Sequence, residues 1–198
     1  PAPSDSIGRI GLAIAPSRPA WIYAQIISGT NLGYTGRGMY RSTDGGTTWA
    51  RRDGGTTFTS MFGGSVNAFG WYFGDCAVDS SDPNKVYALG LTIRRSTNGG
   101  QTFTSITSNA HVDNHALWID PANPARLYLG NDGGFFSTTT AGSSWSKSVD
   151  LPITQFYAGA VDPSNPARLL GGTQDNNTLL TSGSPNSWIA ILGGDGFQ

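Results

Sequence analysis

The sequence predicts an all-β fold in which one unit of four antiparallel strands recurs along the chain. Glycine is abundant, with 28 among 198 residues, and charged residues make up only 13%. No window combines helix-forming residues with a sustained helical apolar period. A turn motif recurs at residues 41–49 (RSTDGGTTW) and 95–103 (RSTNGGQTF), with a degraded copy at 138–145 (TTTAGSSW). Together these observations favour short strands joined by tight hairpins.

Each copy of the turn motif has the chemistry of a β-hairpin. Asp44 and Asn98 can accept hydrogen bonds from the N–H groups of their turns. The glycine pair that follows can adopt positive φ without strain. The aromatic residue at the end of each copy begins the next strand and has a broad face to bury. The residues predicted to build these structural turns are Ser42, Asp44, Gly46, Trp49, Ser96, Asn98, Gly100, Phe103 and Trp145.

A second motif lies upstream of the turns and sets the length of the repeat. It occurs at residues 79–87 (DSSDPNKVY), 120–128 (DPANPARLY) and 162–170 (DPSNPARLL), with a degenerate version at 15–23. From Pro83 to Pro124 to Pro166 the spacing is roughly 42 residues, within the ~40–50 of a four-stranded propeller blade. The sequence therefore predicts a β-propeller with about four blades present, all within a single domain of residues 1–198.

Each predicted blade contains four strands in chain order, the first being the innermost. A short apolar stretch precedes the proline motif, a second follows it, a third leads into the turn, and the fourth begins at the aromatic residue. The innermost strands are predicted at residues 10–14, 75–79, 115–120 and 158–162. The blades are predicted at residues 8–54, 74–108, 113–150 and 155–192, with an insertion at 55–73 and the start of a further blade at 193–198.

Charge and cysteine content narrow the range of partners. The formal net charge is −1, so no basic field attracts nucleic acid or anionic lipid, and no apolar run is long enough to span a membrane. The single cysteine, Cys76, lies in an apolar run and is predicted to be a small buried hydrophobe. All 13 acidic residues are aspartate, and the only lysines are Lys85 and Lys147. Low lysine with abundant Ser, Thr, Gly and Asn favours a secreted bacterial protein.

Residues 111–115 (HVDNH) contain both histidines of the chain. In an extended strand, the alternation of side chains places His111, Asp113 and His115 on one face. Imidazole and carboxylate groups are ligands for Zn²⁺ and similar divalent metals. The segment therefore predicts either a divalent-metal site or a polar hydrogen-bonding network that faces the central channel.

Four aspartates lie close to predicted strand ends near the axis, and three of them are next to a glycine. A pair of carboxylates at the right separation can act as acid and base, or as acid and nucleophile, in glycoside hydrolysis. The alternative is that these carboxylates cap turns or bind backbone N–H groups. The candidate catalytic residues are Asp75, Asp132, Asp175 and Asp195.

Aromatic residues in the insertion and at the starts of inner strands form a third group of candidates. A sugar-binding platform needs a flat apolar face for the ring and polar groups for the hydroxyls. The alternative is core packing between blades. The predicted ligand-binding residues are Trp71, Tyr72, Trp118 and Tyr157, together with Gln174 from residues 171–176 (GGTQDN).

These motifs resemble a known family of repeats. The turns at 41–49 and 95–103 resemble the Asp-box, or bacterial neuraminidase repeat. Taken with the Asp-Pro-x-Asn-Pro motif, with residues 130–134 (GNDGG) and with residues 171–176, nearly the whole chain resembles the secreted Asp-box propellers related to sortilin's extracellular domain and to xyloglucanase-type glycoside hydrolases. Asp-boxes are structural turns shared by hydrolases, lectin-like domains and receptors, so the resemblance is strong for fold and weak for function.

The resemblance implies that the chain is one part of a larger ring. Propellers of this family usually have six or more blades, whereas about four are predicted here. We therefore expect a fragment of a longer propeller, completed by the remaining blades of a longer chain or by self-association, because open sheet edges tend to associate. A true four-bladed ring is the alternative.

Two functions follow from these observations. The first is a binding or interaction module for carbohydrate or protein ligands at the channel face. The second is part of a xyloglucanase-like glycoside hydrolase, in which an aspartate pair acts on a polysaccharide at a carboxyl separation of roughly 5–9.5 Å. The resemblance to the neuraminidase repeat implies that a complete sialidase site would contain a Tyr/Glu pair and an arginine triad. The chain contains no glutamate, which argues against such a site.

Overall fold

A computed structural model describes residues 7–29, 35–53, 69–151, 153–184 and 186–196. In these ranges sixteen strands form four separate four-stranded sheets, and neighbouring strands in each sheet are antiparallel. The only helical element described is a short 3-10 turn at Phe69–Trp71. The predicted all-β fold class is therefore confirmed. Residues 54–68, which include most of the predicted insertion, lie outside the described ranges, as do Phe197 and Gln198.

Each sheet is a meander whose strands pair in chain order. The first sheet contains β1 (Ile7–Ile14), β2 (Ile22–Ser28), β3 (Gly36–Ser42) and β4 (Ala50–Arg51). The second contains β5 (Cys76–Val78), β6 (Val86–Ala88), β7 (Arg94–Ser96) and β8 (Thr104–Ser105). The third contains β9 (Asn114–Ile119), β10 (Leu127–Asn131), β11 (Gly134–Thr138) and β12 (Ser146–Lys147). The fourth contains β13 (Phe156–Asp162), β14 (Asn165–Thr173), β15 (Thr178–Ser182) and β16 (Ile189–Leu192).

The chain divides into two compact units. Unit 1 is Pro1–Ser148 and holds the first three sheets, and unit 2 is Val149–Gln198 and holds the fourth. In unit 1 the inner strands of successive sheets touch, since β1 contacts β5 and β5 contacts β9. The inner strands of the three sheets in unit 1 are therefore neighbours in chain order.

Two buried apolar clusters join the sheets of unit 1. The first packs Tyr23 and Met39 of the first sheet against Val86 of the second. The second packs Tyr87 against Leu127 and Leu129 of the third sheet. All of these side chains are fully buried. The alternation of strand side chains therefore gives the middle sheet one apolar face for each neighbour.

The turn at Ser42–Trp49 is built as its sequence predicts. The Asp44 carboxylate accepts hydrogen bonds from the Thr48 backbone N–H at 2.9 Å and from the Thr48 and Ser42 hydroxyls at 2.6 and 2.7 Å. These bonds, those from Thr48 above all, lower the pKa of Asp44 to about 2. Gly45 and Gly46 have positive φ values of 71° and 96°. The Trp49 indole N–H closes the turn on the Gly46 carbonyl at 2.9 Å.

The second and third turns repeat this arrangement with different side chains. In the second, the Asn98 side-chain oxygen accepts the Thr102 N–H at 3.0 Å, and Ser96 Oγ accepts the Gly100 N–H at 2.9 Å. In the third, the Thr140 hydroxyl stands where Asp44 and Asn98 stand, and it accepts the Ser144 N–H at 3.1 Å. The turn geometry therefore survives without a carboxylate.

Two arginines next to the turns reach the following sheet of unit 1. Arg41 lies over the Trp21 ring, with 4.0 Å from Cζ to the ring centroid, and its Nη1 is 3.5 Å from Asn84 Oδ1. Arg95 donates from Nη1 to the Ala141 carbonyl at 2.6 Å. At the same position of the third repeat the residue is Ser137. The arginine contact is thus present in the first two repeats only.

Candidate functional site

A histidine–aspartate pair lies at the start of the third inner strand. His115 is the second residue of β9, and Asp132 lies in the turn between β10 and β11. His115 Nε2 is 2.6 Å from Asp132 Oδ1, and both side chains are partly exposed. Strand pairing between β9 and β10 explains this proximity, because Asn131 is opposite Asn114 in the register. The pair is therefore fixed by the sheet and open to solvent.

Aromatic rings from the end of the predicted insertion surround this histidine. The Tyr72 ring meets the His115 ring edge-on with a centroid separation of 5.1 Å, and the Phe73 centroid is also 5.1 Å away. Trp71 continues the group, with 5.3 Å between its centroid and that of Tyr72. Trp71 and Tyr72 are 53% and 51% exposed, whereas Phe73 is buried. Two large aromatic faces thus remain open beside the histidine–aspartate pair.

Backbone contacts hold these parts in place. Arg9 of β1 donates from Nη1 to the Tyr72 carbonyl at 2.9 Å. Asn131 donates from Nδ2 to the His111 carbonyl at 2.9 Å and accepts the Gly133 N–H at 3.0 Å. Gly133 is required at its position, because a Cβ there would lie 2.3 Å from the His111 Cβ. The loop around His111 and the turn that carries Asp132 are therefore held together by direct contacts in the free protein.

Asp113 adds a second carboxylate to the group. Its carbonyl accepts the Asp132 N–H at 3.3 Å. Burial raises the pKa of Asp113, the negative charge of Asp132 raises it further, and His111 and His115 act in the opposite direction. We call this group the His115 cluster, and its members are Trp71, Tyr72, Phe73, Asp113, His115 and Asp132.

Residues 111–115, where a metal site was predicted, do not have the extended backbone that the prediction assumed. The prediction required an extended strand, but β9 begins only at Asn114 and Asp113 has a φ of +66°. The backbone turn breaks the alternation that would align His111, Asp113 and His115. His111 Nδ1 is 3.0 Å from the carbonyl of Val112, and His115 is paired with Asp132. In the described ranges no three His, Cys or Asp side chains are arranged to hold a metal ion.

The other three candidate catalytic residues, Asp75, Asp175 and Asp195, are not members of the His115 cluster. Each takes part in a hydrogen bond that involves the backbone. Asp75 accepts the Cys76 N–H at 2.8 Å, which is the role expected of a turn-capping aspartate. In unit 2, Asp195 accepts the Asp175 N–H at 2.8 Å. The Gln174 N–H donates to the Gln155 carbonyl at 3.0 Å. The Asp75 and Asp195 carboxylates thus each accept a backbone hydrogen bond, and Asp175 donates one from its backbone N–H.

The remaining predicted aromatics occupy different places. Trp118 lies near the far end of β9 from His115, opposite Tyr128, with 5.6 Å between the two centroids. It lines a cavity of about 320 Å³ with Pro16, Pro121 and apolar side chains of β5 and β9. Tyr157 belongs to β13 of unit 2, where burial first and then Asp195 and Asp175 raise its pKa. Of the predicted ligand-binding residues, only Trp71 and Tyr72 join the His115 cluster.

Arg9, Asn131 and Gly133 also belong to the site but were not predicted from the sequence. The repeat motif GNDGG, which contains the last two, was the available signal, since glycines beside polar residues often mark close backbone approaches. The contact of Arg9 with Tyr72 joins residues far apart in the chain and leaves no local pattern in the sequence.

The comparison with solved structures decides the fold. The GH74 xyloglucanase from Xanthomonas campestris matches with a TM-score of 0.55 at 18% identity, over 94% of this chain and 32% of that one. The GH74 enzyme of Niastella koreensis matches with a TM-score of 0.50 at 20% identity, over 91% of this chain and 24% of that one. The chain has a β-propeller fold. Its four sheets are four-stranded blades of that fold.

Other comparisons extend this result. YCF48 from Cyanidioschyzon merolae matches with a TM-score of 0.50 at 15% identity, over 97% of this chain and 58% of that one. The chain spans about a quarter to a third of the length of the GH74 enzymes that it matches. No protein-family profile and no curated protein matches the sequence. Among the described residues, no helix is long and apolar enough to cross a membrane.

Proposed function

We propose that this propeller segment is a carbohydrate-binding module and that the His115 cluster is its binding site. A sugar ring needs a flat apolar surface for its C–H face and polar groups for its hydroxyls. The exposed rings of Trp71 and Tyr72 offer the surface, and the His115–Asp132 pair offers the polar groups. The direct contact of Tyr72 with His115 is the observation that carries the proposal.

The rigidity of the cluster supports this function. Binding costs less free energy when loops and side chains are already ordered in the free protein. Asn131 and Gly133 fix the loop that carries Asp132, and Arg9 fixes the backbone at Tyr72. A protein ligand is the other candidate for the same surface, and the glycan-binding experiment below distinguishes the two.

We further infer that the three turns of unit 1 are Asp-boxes, the first two with an intact polar residue and the third with Thr140 in its place. The hydrogen bonds of Asp44 and Asn98 support the assignment, because both side chains bind the N–H four residues later. The chain would then be a segment of a secreted bacterial propeller whose remaining blades are supplied by a longer chain or by self-association.

Glycoside hydrolysis is the second candidate function, and one observation favours it. Burial and the charge of Asp132 raise the pKa of Asp113, which helps it to keep a proton as a general acid must. Asp132, hydrogen-bonded to His115, would be the second carboxyl group of the pair. In this candidate the pair would act on a polysaccharide, as the matching xyloglucanase from Xanthomonas campestris does by its name.

Titration calorimetry with xyloglucan, mixed-linkage β-glucan and mannan oligosaccharides tests the binding proposal. We expect at least one of them to bind, and we expect Trp71→Ala to weaken binding about tenfold, the effect of losing one aromatic contact. Trp118→Ala is the matched control, because Trp118 is also 53% exposed but lies away from the cluster. Equal losses in both variants, or no binding to any glycan, would contradict the proposal.

The hydrolase candidate is tested on the same samples. Release of reducing ends from the bound glycan, abolished in both Asp113→Asn and Asp132→Asn, would establish catalysis by the pair. Binding without release would leave the module non-catalytic. Asp150→Asn serves as the control substitution, because Asp150 is an exposed aspartate outside the cluster.

A further inference from the structure

The charges of the His115 cluster bear on which glycans it can accept. Two carboxylates, Asp113 and Asp132, belong to the cluster, and their backbones are joined by a hydrogen bond of 3.3 Å. The negative charge of Asp132 acts directly on Asp113. The guanidinium of Arg9 carries the opposite charge and donates to the Tyr72 carbonyl. The imidazoles of His111 and His115 lie within hydrogen-bond distance of the Val112 carbonyl and of Asp132.

The aromatic rings have the same electrostatic preference as the carboxylates. The faces of Trp and Tyr rings carry negative potential and attract cations, most strongly quaternary or ammonium groups held within about 6 Å of the ring centre. Trp71 and Tyr72 are half exposed, and Tyr72 packs against the histidine that holds Asp132. An ammonium group seated beside these rings would therefore meet two aromatic faces and a carboxylate together.

We propose that the cluster selects glycans by charge, favouring amino sugars with a free ammonium group and rejecting uronic and sialic acids. The inference rests on the proposed carbohydrate-binding function and names its ligand class. The sugar ring would stack on Trp71 or Tyr72, and its ammonium group would donate hydrogen bonds to Asp132. A hydrogen bond between two charged groups is stronger than one between a hydroxyl and a carboxylate. A carboxylate on the sugar would instead face the Asp132 carboxylate and be repelled.

The test uses β-1,4-linked tetramers that differ in one substituent. Calorimetry at low salt would compare tetramers of glucose, glucosamine and glucuronic acid on the full 198-residue chain. The pH would be mildly acidic, so that the glucosamine amine is protonated while an ordinary aspartate is ionised. We expect the glucosamine tetramer to bind about tenfold tighter than the glucose tetramer, because its ammonium group adds a positive charge to the hydrogen bond with the Asp132 carboxylate. We expect the glucuronic acid tetramer to bind more weakly than either, and the preference to shrink as salt is added.

Asp132→Asn should reduce the preference for glucosamine over glucose to near one while the glucose tetramer still binds. Asp113→Asn is a second variant in case the first disturbs the His115 pairing, and circular dichroism would establish that each variant is folded. Asp150→Asn should keep the full preference, since that carboxylate is exposed and outside the cluster.

Three results would overturn the inference. Equal affinity for the glucose and glucosamine tetramers would show that the site binds sugars without regard to charge, and the proposed function would stand. Binding of tetralysine as tight as that of the glucosamine tetramer would show a site for positive charge without sugar recognition. Failure of every tetramer and of the neutral glycans to bind would remove the proposed function itself, and this inference with it.

Discussion

Unit 1 and unit 2 contain the same kind of sheet but differ in what covers it. In unit 1, side chains such as Tyr87, Leu127 and Leu129 are fully buried between sheets. In unit 2 the backbone pairing is equally regular, yet Val161, Ile189 and Leu192 are each more than half exposed. Strand pairing and burial are thus determined separately. The repeat supplies the pairing, whereas burial needs a neighbouring apolar face.

The functional candidates differ between the units in the same way. In unit 1 the third sheet supplies His115 and Asp132, the end of the insertion supplies Tyr72, and the three meet in one cluster. In unit 2 the hydrogen bond between the Asp195 carboxylate and the Asp175 N–H closes the end of a single sheet. The site with exposed aromatic faces is thus built from separate segments of unit 1, whereas the contact in unit 2 is made within one sheet.

The largest expected effect compares a buried leucine of unit 1 with an exposed one of unit 2. We expect Leu129→Ala to lower the free energy of unfolding by about 2–5 kcal/mol, because it leaves a cavity in a packed cluster. Leu192→Ala, at a side chain that is 66% exposed, should change it by no more than about 0.5 kcal/mol. Urea unfolding followed by tryptophan fluorescence measures both. Similar losses would contradict the difference in burial between the units.

A chemical probe sharpens the same contrast. Cys76 is buried in unit 1, with its Sγ 3.5 Å from the Gly11 carbonyl, and burial raises the pKa of its thiol to about 12. The thiolate is the reactive form, so we expect thiol modification at pH 8 to be roughly a thousandfold slower in the native protein than in urea. The rate of colour release from an aromatic disulfide reagent measures this. A fast native reaction would mean that the first cluster of unit 1 is open.

Removing an arginine contact is expected to give a smaller difference in stability between the two units. Arg95→Ala removes a charge-assisted hydrogen bond of 2.6 Å to the third sheet, and we expect a loss of about 1.5–3 kcal/mol of stability. Arg168 of unit 2 is 54% exposed and lies 3.6 Å from Asp162, so Arg168→Ala should have little effect. Thermal unfolding of the two variants under identical conditions would separate these outcomes, and equal midpoints would contradict the structural role given to Arg95.

The smallest expected effect is a difference in how stability depends on pH between the first turn, which contains Asp44, and the second, which contains Asn98. The pKa of Asp44 is lowered from 3.8 to about 2 in the folded state, so its stabilising effect is complete above the unfolded pKa and is lost as pH falls through about 2. Asp44→Asn should remove this acid dependence, whereas Asn98→Ala should leave it unchanged. Acid titration of the unfolding midpoint measures both. An unchanged acid profile in Asp44→Asn would contradict the hydrogen-bonded turn.

Much of the fold could be predicted because its signals are local. The turn at Ser42–Trp49 needs only eight consecutive residues, and its hydrogen bonds are as the sequence indicates. The four-stranded repeat follows from the regular spacing of the proline motif. The extent of β14 was less predictable, since it begins at Asn165, inside that motif, where a tight hairpin pairs Asn165 with Asp162.

The site could be predicted only in part because it is built from distant segments. His115, Asp132, Trp71 and Tyr72 were each candidates, but nothing in the sequence places Tyr72 against His115. The metal hypothesis depended on an extended backbone, and the positive φ of Asp113 arises from the hydrogen bonds of its loop with Leu91 and Asp132. Such a backbone reversal at a non-glycine residue has no reliable signal in the sequence.

The most direct test of the proposed site is the nuclear magnetic resonance signal of the tryptophan indole N–H groups during glycan titration. The chain has six tryptophans, and Trp71→Phe identifies the signal of Trp71. We predict that the glucose and glucosamine tetramers shift the Trp71 signal. The Trp145 and Trp49 signals should stay in place, because those indoles are bonded to the Ile106 and Gly46 carbonyls. A shift confined to Trp118 or Trp188, or no shift at saturating glycan, would contradict the assignment of the binding site to the His115 cluster.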